Sequence, residues 1–105
     1  MRPLVVRIWR SGLDESRAPE YEDFALRTSL PMFRRHVGFL GVLFAGTGGE
    51  RTVITLWSDK AAVMALDASA DYQSTVRAIE ATGFLRPPLR VELLPVHSSW
   101  TEPLG

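Results

Sequence analysis

The chain has 105 residues, 46% of them hydrophobic, which is enough for one core although a domain of this size buries only a moderate share of its surface. Twelve basic residues balance twelve acidic ones, and no basic run exceeds Arg34-Arg35, so capture of nucleic acid or anionic lipid by charge is not expected. The absence of cysteine excludes disulfides, thiolate metal sites and a cysteine nucleophile.

Leu4 to Arg10 reads as a strand because β-branched and aromatic residues dominate it. Ser11 to Ala18 reads as a polar connection. Within it Ser16 is placed to cap a helix starting near Pro19, and Glu20, Glu22 and Asp23 suit the positive end of that helix. Tyr21, Phe24, Ala25 and Thr28 fall on one helical face. Pro31 cannot donate to the carbonyl of Arg27, which predicts a kink or restart, and hence a cavity rim, before Met32, Phe33 and His36. Gly38 should end this helix, Gly41 to Ala45 form a second strand, and Gly46-Thr-Gly-Gly49 turn the chain into a third, Arg51 to Trp57.

Ser58 or Asp59 can cap the next helical region, which opens at Lys60 to Leu66 and breaks around Asp67 to Ala70. It resumes with Tyr72, Val76 and Ile79 on one face until Gly83. Pro87-Pro88 blocks further helix, and Leu89 to Val96 reads as a fourth strand, with Pro95 marking a strand end or an edge. The order β-α-β-β-α-β predicts an α+β, ferredoxin-like split βαβ domain over residues 1–105, with a polar tail from about residue 97 in which Trp100 is the one apolar anchor. Apolar residues occur at both parities of the strands, Val6, Ile8, Val42, Phe44, Ile54, Leu56 and Leu93 among them. The sheet face without helices is therefore expected to meet a second subunit.

Period two places Arg7 with Trp9, and Thr55 with Trp57, so both indoles border one cleft if those faces look toward the helices; the alternative is that they fill core. Arg7 stands in an otherwise apolar strand, where a guanidinium either reaches solvent or a subunit partner, the favoured reading, or is paired inside as a fixed cation for an enolate or phenolate. Tyr72 is a helix anchor or a catalytic phenol. His36 follows two arginines near a helix end, a surface or dipole-compensating position more than that of a general base. The histidines are 61 positions apart without carboxylates at ligand spacing, so no metal is expected. No serine sits in a nucleophile elbow, and the glycine-rich Gly46 to Glu50 links two strands and opens no helix. The apolar run after Met1 is too short for a signal peptide, no stretch is long enough to cross a bilayer, and a cytoplasmic location is expected.

Val5 to Arg10, Gly38 to Val42, Thr52 to Ala62, Ala70 to Tyr72 and Leu89 to Val96 together resemble the antibiotic biosynthesis monooxygenase family of small dimeric α+β barrels. The resemblance runs from about Leu4 to Val96. It implies a homodimer and a pocket in which Trp57 matches a family tryptophan and Ser69 and Tyr72 match a serine-containing segment with its following aromatic. One branch of the family degrades haem with a strand-one asparagine and a second-helix histidine. This chain has no asparagine, and the histidine position falls near Thr75 or Val76. What the resemblance implies is a cofactor-independent monooxygenase with dioxygen as co-substrate, acting on an aromatic, polyketide- or quinone-like molecule. Arg7, Trp57, Tyr72 and His36 would be catalytic, and Trp9, Phe24, Met32, Phe33 and Arg77 would contact substrate. A non-catalytic ligand-binding or structural dimer, and an isomerase or cyclase using the same cleft, are the alternatives.

Overall fold

The computed structural model describes residues 3–104. Four antiparallel strands lie in the order β2-β3-β1-β4: β1 (Val5–Leu13), β2 (Phe39–Ala45), β3 (Glu50–Trp57) and β4 (Leu85–Pro95). The helices are α1 (Ala18–Phe24), α2 (Leu30–Arg34), α3 (Lys60–Ala68) and α4 (Ala70–Ala81). This is the α+β, ferredoxin-like arrangement that the element order predicts.

Alternation along β1 decides which side chains reach the core. Val5, Arg7, Trp9, Ser11 and Leu13 are buried under the helices while Val6, Ile8 and Arg10 are only partly covered, and β3 repeats the pattern with Arg51, Val53, Thr55 and Trp57 inward. Register then sets Trp57 beside Val5, Thr55 beside Arg7 and Val53 beside Trp9. Two apolar clusters form under the helices. One gathers Val5, Trp9, Met32, Phe33, Val53, Trp57, Val63 and Leu66; the other gathers Leu13, Tyr21, Ile79 and Phe84.

Several boundaries differ from those the sequence predicts. β1 runs on through Ser11 to Leu13, because Leu13 is buried and the Ser11 hydroxyl is satisfied by the carbonyls of Gly12 and Arg86 (2.9 and 3.3 Å). Ser16 does not cap α1. Instead Asp14 accepts from the Ser16 amide (3.2 Å) and caps a short 3-10 turn, Glu15–Arg17, that leads into α1. β4 starts at Leu85, ahead of both prolines, pairing with Leu13 and Gly12 across an irregularity in the ladder. An edge strand tolerates prolines because its outer amides have no partner to lose. Trp100 is 81% exposed and so is not the apolar anchor of the tail that the sequence suggests.

The break at Pro31 takes a specific form. Ala25–Ser29 is a π turn in which the Leu30 amide reaches back to Ala25, so the chain widens by one residue just before the position that has no N–H. Further along the same face of the sheet, Asp59 caps α3 through the Ala62 amide (2.8 Å). Ser69 joins α3 to α4, its hydroxyl donating to Leu66 O (2.8 Å) and accepting from the Tyr72 amide (3.0 Å).

No helix covers the opposite sheet face. It carries the partly exposed Val6, Ile8, Ile54 and Leu56, together with Leu43 and Leu94 at the edges. Leu89, Val91 and Leu93 are exposed along β4 as well.

Candidate functional site

The Ser69 junction has a chemical consequence. It stops α3 so that Asp67 lies in its last turn, and starts α4 so that Tyr72 lies in its first, and both side chains meet Arg7 on β1. Arg7 Nη2 donates to the Tyr72 hydroxyl oxygen at 2.6 Å and to Asp67 Oδ1 at 3.2 Å, and its guanidinium carbon lies 5.1 Å from the centre of the Tyr72 ring. Arg7 is 3% exposed, so it is paired inside and neither reaches solvent nor waits for another subunit. A buried guanidinium needs such partners. Its Nε–H, also buried, has none.

Arg7 forms part of the wall of a small cavity, about 50 Å³, at the seam between the two apolar clusters. Trp9, Met32, Phe33, Phe44 and Val53 contribute from one side, Tyr21 and Ile79 from the other, and Ser29, Tyr72 and Thr75 complete it. Ser29 closes the π turn, so the irregularity in the helix is part of the wall. A wide-open groove of about 550 Å³ runs beside β4, lined by Pro3, Val5, Asp59, Lys60, Ala61, Leu93 and Pro95. It is larger, but its acid caps α3 and no aromatic side chain among the described residues lines it, so the inner cavity is the better candidate.

Of the residues singled out from sequence, Arg7, Trp9, Met32, Phe33 and Tyr72 converge on this cavity. Trp57, His36, Phe24 and Arg77 do not line it. Trp57 is fully buried between Phe33 and Phe39 (ring centres 6.3 and 5.5 Å away), and its indole N–H donates to Thr55 Oγ1 at 2.7 Å. Thr55 in turn donates weakly to the Arg7 carbonyl at 3.4 Å, so Trp57 is linked to the site through the backbone that carries Arg7 and through its packing on Phe33. His36 Nε2 stands 3.4 Å from Asp71 Oδ2, an ion pair only when the ring is protonated. Asp71 is already held by Arg35 (2.8 and 3.0 Å), whose hydrogen bonds lower its carboxyl below the ordinary value. Phe24 packs on Phe84 in the second cluster, and Arg77 is on the exposed face of α4. Among the described residues no group of three or more metal-ligating side chains is assembled, and no helix is long and apolar enough to cross a membrane.

No protein-family model and no curated protein matches the sequence. Solved structures do resemble it in three dimensions. SnoaB, a cofactor-independent oxygenase from Streptomyces nogalater, matches with a TM-score of 0.76 at 19% identity, over 95% of this chain and 99% of its own. A Caulobacter crescentus protein assigned to the antibiotic biosynthesis monooxygenases matches with a TM-score of 0.77 at 13% identity, over 92% of each chain. The chain has the antibiotic biosynthesis monooxygenase fold. A Nitrosomonas europaea protein with the same assignment gives a TM-score of 0.75 at 10% identity, over 92% of this chain and 93% of its own.

Within this antibiotic biosynthesis monooxygenase fold, Tyr21 is the cavity residue that sequence reasoning placed on a helical face without giving it a role. The signal was available: a tyrosine on the apolar face of a short helix brings a hydroxyl into the core. Burial, opposed by the nearby charge of Arg51, pushes its phenol up to about 12, so at neutral pH it is a hydrogen-bond donor. Because the folded value is raised, this group contributes stability that is fully present below about pH 10, the ordinary phenol value, and lost as pH rises toward 12. Absorbance titration at 295 nm should show a tyrosinate step near pH 12 that disappears in Tyr21→Phe. A wild-type protein whose tyrosines all ionise near pH 10 while still folded would contradict this placement.

Proposed function

We propose that this protein is a cofactor-independent monooxygenase acting on an aromatic, polyketide- or quinone-like small molecule. The reading rests chiefly on a buried, charged Arg7 held by Asp67 and Tyr72 in the wall of an apolar cavity, within a fold shared with a cofactor-independent oxygenase. A fixed cation in a low-dielectric cavity stabilises an enolate or phenolate much more than the same cation in water does. The bound substrate would be held as its anion by Arg7. Its electron-rich ring carbon would then combine with dioxygen to give a carbon-bound peroxide.

Loss of the remaining C–H proton with O–O cleavage gives a carbonyl and water, so that CH2 plus O2 becomes C=O plus H2O. The substrate supplies all the electrons and no external reductant is needed. In this reading Tyr72 would carry the proton, since its oxygen accepts from Arg7 while its own O–H remains available to the substrate. Trp9, Met32 and Phe33 would grip the ring faces. Trp57 acts in this reading by holding Thr55 and hence the Arg7 backbone, and His36, Phe24 and Arg77 act from outside the cavity.

The apolar sheet face that no helix covers supports a homodimer. Light scattering at micromolar concentration should give twice the chain mass, and a strict monomer would remove that part of the reading. For the reaction, purified protein treated with a chelator and given a hydroxylated polycyclic aromatic should consume dioxygen in a one-to-one ratio with substrate. Saturable binding with no oxygen consumption across such compounds would favour a ligand-binding module instead.

A further inference from the structure

The inner cavity is too small for the ligand its chemistry suits. About 50 Å³ holds a few waters, whereas small-molecule sites run to roughly 300 Å³ and above. An outer pocket of about 160 Å³ lies at the end of β2, bounded by Glu22, Ala45, Gly46 and Arg51, and Tyr21 and Phe44 line both spaces. The two voids are therefore back to back across two side chains. We infer that they are halves of one cleft, divided in this closed form by Tyr21 and Phe44, and that it takes an elongated ligand long enough to span both halves, with an anionic group at its far end against Arg51. This rests on the proposed reading of the inner cavity as the substrate site.

Three further observations agree with it. Tyr21 is 3% exposed and lines both spaces, and Arg7 Nε–H, in the wall of the inner one, is a buried donor with no hydrogen-bond partner among the described residues. Buried donors left unpaired are costly, and oxygen atoms on a ligand would satisfy them. The partition is built to move: Phe44 lies on the edge strand β2, is only partly buried and has no ring partner among the described residues, while Tyr21 is braced by Phe84 with ring centres 5.9 Å apart. The outer end also has a fixed cation. Arg51 Nη1 donates to the carbonyls of Gly48 and Glu50 (3.0 and 2.7 Å), and its nearest carboxylate, the mostly exposed Glu22, is 3.7 Å away. An anionic group on the ligand would meet a positioned guanidinium there.

The test is binding of two probes, phenol and 1-hydroxyanthraquinone-6-carboxylate, followed under nitrogen by quenching of intrinsic tryptophan fluorescence, Trp9 being part of the wall. Opening the partition by Phe44→Ala should raise the affinity for the three-ring probe at least tenfold and change that for phenol less than twofold, because only the longer ligand has to displace the ring. Tyr21→Phe, which keeps the ring, should weaken the three-ring probe by roughly two- to tenfold. If Phe44→Ala does not fold by circular dichroism, Phe44→Leu is read in the same way. Equal shifts for both probes, or none, would overturn the inference. Oxygen plays no part in these measurements: size-selective binding without turnover would remove the oxygenase reading and keep the cleft, and turnover without size selection would do the reverse.

Discussion

Replacing Arg7 by methionine should lower turnover of a hydroxylated polycyclic substrate by about 10²–10³-fold while leaving the thermal midpoint within a few degrees of wild type. The first figure is the usual cost of removing a preorganised donor from an oxyanion site. The second follows from the surroundings. Arg7 is buried among Trp9, Val5 and Thr55, and removing one member of a buried ion pair is costly chiefly when the other charge is left buried and uncompensated. Its acid partner is not stranded by the change, since Asp67 is 48% exposed and can rehydrate. Arg7→Lys would keep the charge but lose the planar fork, and should recover only part of the activity. The opposite pattern, a large fall in the midpoint with turnover intact, would make Arg7 a structural ion pair and nothing more.

Trp57→Phe should act on stability. The substitution deletes the donor to Thr55 and leaves a void against Phe33 and Phe39 in a fully buried position, which together cost about 1–3 kcal/mol. For a domain of this size that corresponds to a midpoint about 5–15 °C lower. Ligand affinity should change little, because the indole does not line the cavity and touches Arg7 only through Thr55 and a backbone carbonyl. A Trp57→Phe protein with an unchanged midpoint and a tenfold weaker ligand constant would return Trp57 to the cavity wall.

These two residues show what a sequence of this kind discloses. Strand, turn and helix order were legible because period-two runs and the signals at Pro31, Gly38, Gly46 to Gly49 and Gly83 are local. Parity also groups Arg7 with Trp9 and Thr55 with Trp57, while the structure supplies the fact that both faces look toward the helices. Whether an indole fills core or lines a void depends on which helix lies above it, and nothing within a few residues of Trp57 announces Phe33 and Phe39 around it. Arg7 is the clearest case. Its sequence neighbours point to an edge or an interface, and its partners are 60 and 65 positions away, brought in by the Ser69 junction. The start of β4 was hidden by Pro87 and Pro88, whose lack of amides argues against a strand only where both edges are paired.

The central claim is that substrate anion and dioxygen react at the Arg7–Tyr72 cavity with no added cofactor. The measurement that tests it most directly is turnover of a hydroxylated fused-ring aromatic under ¹⁸O2, by chelator-treated protein without flavin or reductant, with products read by mass spectrometry. The account predicts one ¹⁸O atom in each product molecule, the second in water, and loss of this labelling in Arg7→Met. Product formed at the same rate under nitrogen, or carrying oxygen only from water, would contradict it.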